Sequence, residues 1–282
     1  MKVELIAPEG CVGDRQVRTD VIDARALVQL AALLDRNEPA PAPGDALPAG
    51  RHWLYFTPAV LQSQLKPDGI ALRSPPMPEV ANARRMWAGG RTDFLRPLTV
   101  GSQVRRETEV KSVYKKSGKS GDLVFVVLRH EISDAQGVAI VEEQDMLYRD
   151  PANIRRSLAA PRQSAPDDAQ WQTSFTADLS MLFRFSAITF NAHRIHFDPQ
   201  YAREADGYEG ALVHGPLLAL MLMDQCAAQL KRPIKRLAYR GVSPLFHGTP
   251  AVLAGRAESD HIRAWAATAD GKLALSAEIT LG

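Results

Sequence analysis

The chain holds two cysteines in 282 residues, Cys11 and Cys226, far apart and in no C-x-x-C or finger spacing. That excludes a disulfide framework and a cysteine-based zinc site, so both read as reduced thiols of a cytoplasmic protein. No apolar run approaches the roughly 20 residues that a membrane span needs. The first residues carry Glu4 and Asp14 and no long apolar stretch, so they do not read as a secretory leader. Net charge is only +2, too little for a nucleic-acid surface. No G-x-S-x-G elbow occurs, and neither cysteine has a local partner that would make it a nucleophile. Ser117-Gly-Lys-Ser120 has the look of a phosphate loop, but the glycine required five residues before Gly118 is Val113. It reads instead as a hairpin turn with solvated lysines. What is present is ordinary globular composition, 45% hydrophobic and 23% charged, enough for one large domain or two modest ones.

Residues 20–36 show apolar positions at helical spacing (Val21, Ala24, Leu27, Leu30, Ala31, Leu34), with Asp20 as the expected cap. A Pro-rich connector without packing pattern follows over 38–50. Strands are expected over Val104–Val113, Leu123–Ile132 and Val138–Tyr148, separated by turns at 115–122 and 133–137. Residues 151–172 have little periodicity and read as a linker between an N-terminal unit, 1–150, and a C-terminal unit, 173–282. The units echo one another: Pro97-Leu98-Thr-Val-Gly101 recurs 147 residues later as Pro244-Leu245-Phe-His-Gly248. An internal duplication of a helix plus an antiparallel meander is expected. Leu217–Met223 is apolar on every face, so a helix from Pro216 to about Leu230 must be buried all round, with a curved antiparallel sheet about it. Trp53 and Trp87 read as core or interface anchors.

The chemistry concentrates in Phe185–Asp198 and Val213–Pro216. His196 is the leading general base, because imidazole titrates near neutral pH. Asn191 can hold a water or a carbonyl but cannot take a proton. Gly215 can bring a free N–H close to a ligand at the positive end of the helix. His193, His196, Asp198 and His214 together raise a zinc site, which the missing H-E-x-x-H pattern argues against, so no metal is expected.

Phe185–Asp198 together with Val213-His-Gly-Pro-Leu217 resembles the MaoC-like hydratase/dehydratase family of the hot-dog fold. That family carries F-A-x-x-(T/S)-G-D-x-N-P-(I/V)-H before its central helix. Its Asp and His activate water, and the N–H of the helix-start glycine binds the thioester oxygen. By position the histidine is His196 and the glycine Gly215. The family's Asp is replaced here by Asn191 and its Asn by His193, which leaves His196 as sole base. The T-F-N-x-H-x-I-H pattern, with Met86–Arg91, Gly121–Val126 and Glu142–Arg149, is similar to the two-hot-dog subgroup. That subgroup holds hydratases of mesaconyl- and itaconyl-type CoA esters and mitochondrial-type 3-hydroxyacyl-thioester dehydratases, and the match covers most of the chain.

The resemblance implies an α+β double hot-dog fold, two antiparallel sheets each wrapped around a helix, with catalysis confined to the C-terminal unit. Leu33–Pro39 looks like a decayed copy of the motif in a scaffold half. The implied activity is reversible water addition to a 2,3-unsaturated acyl-CoA such as mesaconyl- or itaconyl-CoA, or the dehydration of a 3-hydroxyacyl thioester. A hot-dog thioesterase and a non-catalytic acyl-CoA-binding module are the rivals. His193 and His214 are expected at the substrate, and Arg184, Arg194 and Arg240 at the CoA phosphates. No cofactor is implied beyond the CoA of the substrate; the expected partners are that acyl-CoA and a second copy in a homodimer.

Overall fold

In the computed structural model, which describes residues 5–81, 83–118, 121–158 and 161–282, the apolar run at 217–223 sits inside helix α5 (Gly215–Leu230). Leu217, Leu218, Ala219, Leu220, Leu222, Met223 and Cys226 are all buried. Strands β7 (Ile234–Gly241), β8 (Ala251–Ala257), β9 (Ile262–Thr268) and β10 (Leu273–Leu281) curve around it. Ala251, Leu253, Ala264, Ala266, Ala277 and Ile279 alternate onto the face that packs in the same core as α5. The four alanines among them let the sheet approach the helix closely. Leu220→Ala is therefore expected to cost roughly 2 to 5 kcal/mol, because this fully buried site cannot collapse around the void. A urea titration measures it.

The N-terminal half supplies β1 (Arg15–Val21), β2 (Arg84–Phe94), β3 (Gln103–Gly118), β4 (Gly121–Asp134) and β5 (Gly137–Arg149), and the C-terminal half adds β6 (Trp171–Phe175). The ten strands among the described residues form one antiparallel sheet in the order β1-β3-β4-β5-β2-β7-β10-β9-β8-β6. The halves mirror one another about the β2–β7 seam, where Gly90 pairs with Tyr239. The two sheets read from the resemblance are thus joined edge to edge. Among the described residues only the C-terminal half has a long central helix; the equivalent place in the other half holds a single 3-10 turn, Arg51–Leu54.

The duplication is visible atom by atom. Leu47 N–H donates to Leu98 O at 2.7 Å, and Val213 N–H to Leu245 O at 2.8 Å, the acceptors being 147 residues apart. Gly101 and Gly248 end both copies with positive φ, 89° and 72°. Helices α1 (Ala24–Leu33) and α3 (Leu179–Ile188) also match: Asp23 and Asp178 cap them, and each is followed by a residue of positive φ, Asp35 at 54° and Phe190 at 50°. This register sets Asp35 opposite Phe190 and Arg36 opposite Asn191. Arg36 is tied to Asp224 of α5 at 2.6 Å, so the position that Asn191 holds in the second copy is taken in the first by an ion pair to the central helix.

Several expectations shift. The first helix starts at Ala24 with Asp23 as cap; Asp20 belongs to the edge strand β1 and accepts the N–H groups of Val21 and Phe56. The strands over 104–148 are longer than read, the extended stretch before Pro97 is the full strand β2, and β1 and α3 were not read at all. Polar RQVRTDV hides β1, and exposed Phe183 blurs the amphipathic face of α3. Within 151–172 lie helix α2 (Pro151–Leu158) and the start of β6, and Ile154 packs with Ile195 and Tyr208. Of the loop at 117–120, Lys119 and Ser120 lie outside the described residues, as do Met1–Glu4 at the N-terminus. Among the described residues no helix is long and apolar enough to cross a membrane.

Candidate functional site

Helix α3 delivers the loop that carries the candidate residues. It ends with the left-handed turn at Phe190, where Asn191 N–H donates back to Ser186 O at 2.8 Å. Asn191 Oδ1 then accepts the N–H of His193 at 3.1 Å, an Asx-type turn that sets the next residues on course. A 3-10 turn over Arg194–His196 and the short helix α4 (Pro199–Tyr201) follow. The first half holds this loop from behind. Asp68 O accepts Arg194 N–H at 2.9 Å, and a Cβ on Gly69 (φ 85°) would lie 1.7 Å from Ala192 O. Only glycine allows that approach.

His196 Nδ1 lies 2.9 Å from Leu212 O. A carbonyl can only accept, so Nδ1 carries the proton and Nε2 the lone pair. Nε2 has no hydrogen-bond partner among the described residues. The ring stacks on His214 at 3.8 Å, and His193 stands edge-on at 5.7 Å. His214 Nε2 shares a hydrogen bond with Ser186 Oγ at 2.9 Å, and Phe185 meets its ring edge-on. Directly after His214, Gly215 opens α5. A Cβ on Gly215 would fall 2.3 Å from Cζ3 of Trp87, whose ring stacks on Tyr239 at 4.5 Å. Asn191, His193, His196, His214, Gly215 and Trp87 all border one cavity of about 1150 Å³.

Burial pushes His196 down to about 4, opposed by its bond to Leu212. Burial, reinforced by His196, Arg85 and Arg84, takes His193 to about 3, and His214 falls well below its ordinary value for the same first reason. All three rings are neutral at pH 7, and His196 is ready to accept a proton without first losing one. His130, buried in the first half, is also lowered to about 4. An unfolded histidine titrates near 6.5, so between about pH 6.5 and 4 the unfolded chain binds more protons than the folded one. Stability should be complete above about pH 6.5 and fall as pH drops through that window, read as a falling Tm from pH 7 to pH 5.

The structure gathers Asn191, His193, His196, His214 and Gly215, but not the three arginines. Arg194 is paired with Asp198 at 2.7 Å and lies over the Tyr201 ring. Arg184 is exposed on α3. Arg240 is exposed on β7 and borders a separate hollow of about 460 Å³ with Arg263 and Asp168. The large cavity is bordered by other arginines, Arg84, Arg85, Arg106, Arg149 and Arg162, none of which was singled out in the sequence as a substrate contact. Ser186 was missed, whereas Trp87, expected as a core or interface anchor, packs against Gly215 and Tyr239. Because His196 and His214 stack face to face, their nitrogens do not converge; among the described residues no group of three His, Cys, Asp or Glu is placed to hold a metal ion.

A curved antiparallel sheet duplicated about a seam, with a histidine and a helix-start glycine on one cavity, defines a double hot-dog protein of the hydratase/dehydratase class. The model of the hydroxyacyl-thioester dehydratase type 2 family matches residues 50–247, and the chain belongs to that family. It is similar to mesaconyl-C(4)-CoA hydratase of Chloroflexus aurantiacus, 40% identical over 95% of both chains. In structure it is similar to a MaoC-like dehydratase of Phytophthora capsici, with TM-score 0.71, 16% identity, and 96% and 95% of the two chains covered. A Mycobacterium tuberculosis protein described as having a double hot-dog fold aligns with TM-score 0.59 and 12% identity over all of this chain and 96% of its own.

Proposed function

We propose that the protein adds water reversibly across the C2=C3 bond of a 2,3-unsaturated acyl-CoA, a short branched dicarboxylic ester such as mesaconyl- or itaconyl-CoA. The observation that carries this reading is the fixed tautomer of His196, with a bare Nε2 on the same cavity as the Gly215 N–H. The 40% identity to a mesaconyl-C(4)-CoA hydratase supports the class of ester.

In the hydration direction, His196 Nε2 takes a proton from water as the water oxygen bonds to C3. The π electrons of C2=C3 shift onto the thioester, and the oxyanion is met by the Gly215 N–H at the positive end of α5. The enolate then collapses, and C2 takes the proton from the His196 imidazolium, so the ring returns to its starting state. One base serving both carbons delivers O and H to the same face of the double bond. Asn191, whose Oδ1 is engaged by His193 N–H, keeps its NH₂ for the water or the thioester carbonyl. The same steps reversed dehydrate a 3-hydroxyacyl thioester, the activity named by the family model. No step calls for a resident metal or redox group, since no net electrons leave the substrate.

A thioesterase would send the water to the carbonyl carbon, a reaction usually served by a carboxylate base, and Asn191 occupies that slot. The test is mass spectrometry of the protein with a pool of enoyl- and 3-hydroxyacyl-CoA esters, mesaconyl and itaconyl forms included. Gain or loss of one water by an ester supports the reading. Release of free CoA, or no change in any ester, would overturn it.

A further inference from the structure

The large cavity has a second chemical end. From Gly215 a line of contacts joins two residues of its wall, Trp87 and Trp53, through groups behind it: Trp87 against the glycine, Tyr239 stacked on Trp87, Trp53 edge-on to Tyr239 at 5.8 Å, and Glu142 accepting Trp53 Nε1–H at 2.8 Å. Arg106 of β3 stands beside Glu142, also bordering the cavity, and its charge is felt there. Arg106 has no carboxylate within ion-pair distance among the described residues.

The nearby acceptors are already engaged. Glu142 Oε1 takes the donors of Trp53 and Gln144, and its Oε2 takes His52 Nε2–H at 3.1 Å. Asp20 accepts the N–H groups of Phe56 and Val21. Arg106 is left with a long contact of 3.5 Å to Phe56 O, which Arg18 shares at 3.3 Å, and with the face of the Phe56 ring. Its Nε is buried without a partner. Two other arginines drawn in from solvent have carboxylate partners: Arg51 with Asp224 at 2.6 Å, Arg84 with Asp206 at 3.0 Å. A guanidinium kept from water without a counter-ion is costly, and its planar fork of donors fits a two-oxygen anion.

We propose that Arg106 is the receptor for an anionic group of the bound thioester, so that the substrate spans the cavity from Gly215 to Arg106. This rests on the thioester reading above. The shared chemistry is a carboxylate or phosphate oxygen pair, and it has two sources: a carboxylate ending the acyl group, or a phosphate of CoA.

The experiment compares wild type with Arg106→Met and Arg106→Lys on paired 2,3-unsaturated thioesters, each acyl length with and without a terminal carboxylate, beginning with mesaconyl against crotonyl. Each pair is offered as the CoA ester and as the short N-acetylcysteamine thioester, which lacks phosphate. If the anion is the acyl carboxylate, Arg106→Met loses about 100-fold in kcat/KM on carboxylated esters, in both thiol forms, and little on plain ones. Arg106→Lys recovers part of it. If the anion is a CoA phosphate, all CoA esters lose equally and the short thioesters do not. Equal rates in wild type and variants on every ester overturn the Arg106 assignment while leaving the hydratase reading intact. A wild type that turns over none of them removes both. Should the variants fail to fold, wild type alone decides: no preference for a carboxylated over a plain ester, and none for CoA over the short thiol, overturns the assignment.

Discussion

His196→Ala is expected to lower kcat for hydration about 10³-fold, near the middle of the range for loss of a positioned general base. The loss belongs in kcat more than in KM, because the ring acts on the proton in transit rather than on the bound ester. Stability should change little, by about 1 kcal/mol, since one hydrogen bond to Leu212 O and one face of a ring stack are removed while His214 keeps its bond to Ser186. Steady-state rates paired with a thermal melt separate the two effects. A variant that melts like wild type and still turns over at more than a tenth of its rate would remove His196 from the mechanism. The pH profile adds a second check. With His196 lowered to about 4, the base is unprotonated through the neutral range, so kcat/KM for the wild type should be flat from about pH 6 to 8 and fall only as pH approaches 4. A limb near 6.5 would mean that the ring is not held in its buried, neutral state.

How much of this was legible in the sequence follows from where the physics is local. Helix α5 could be read because seven apolar residues in a row can only be buried all round, and the turn after Pro244 because it repeats one made earlier in the chain. His196 and Gly215 stood out by residue type at motif spacing. Arg184, Arg194 and Arg240 were chosen by charge alone, and charge does not say which way a strand or helix turns its side chains. Arg194 has its own acid four residues on, a helical spacing visible in the sequence that marked it as already paired. Arg106 could not be found that way: its cavity exists only when β3, β5 and the loops of the first half meet the α3 loop and the start of α5 from the second, and its lack of a counter-ion is a tertiary property. The same holds for Asp35, which looked like a relic of the motif until the left-handed turns at Asp35 and Phe190 set the register one residue over, with Arg36 in the slot of Asn191.

Gly215→Ala should be nearly as damaging as loss of the base, for a steric reason. The added Cβ would fall 2.3 Å from Trp87 Cζ3 and 2.4 Å from its Cε3, where no real carbon can sit. A flexible side chain could swing aside, but Trp87 is clamped by Tyr239, itself buried and flanked by Trp53. The alternative is for the first turn of α5 to retreat, and that carries the Gly215 N–H away from the thioester oxygen. An oxyanion donor removed in this way costs about 10²- to 10³-fold in kcat. Overpacking adds about 1 to 3 kcal/mol of lost stability, which His196→Ala does not share. The double variant Gly215→Ala with Trp87→Leu separates the two contributions. Opening space beside the new methyl should recover most of the stability in a denaturant titration. If it also restores the rate, the glycine matters because it keeps the donor in place. If stability returns and the rate does not, the Trp87 ring itself shapes the acyl wall, and the damage lies there rather than at the helix start.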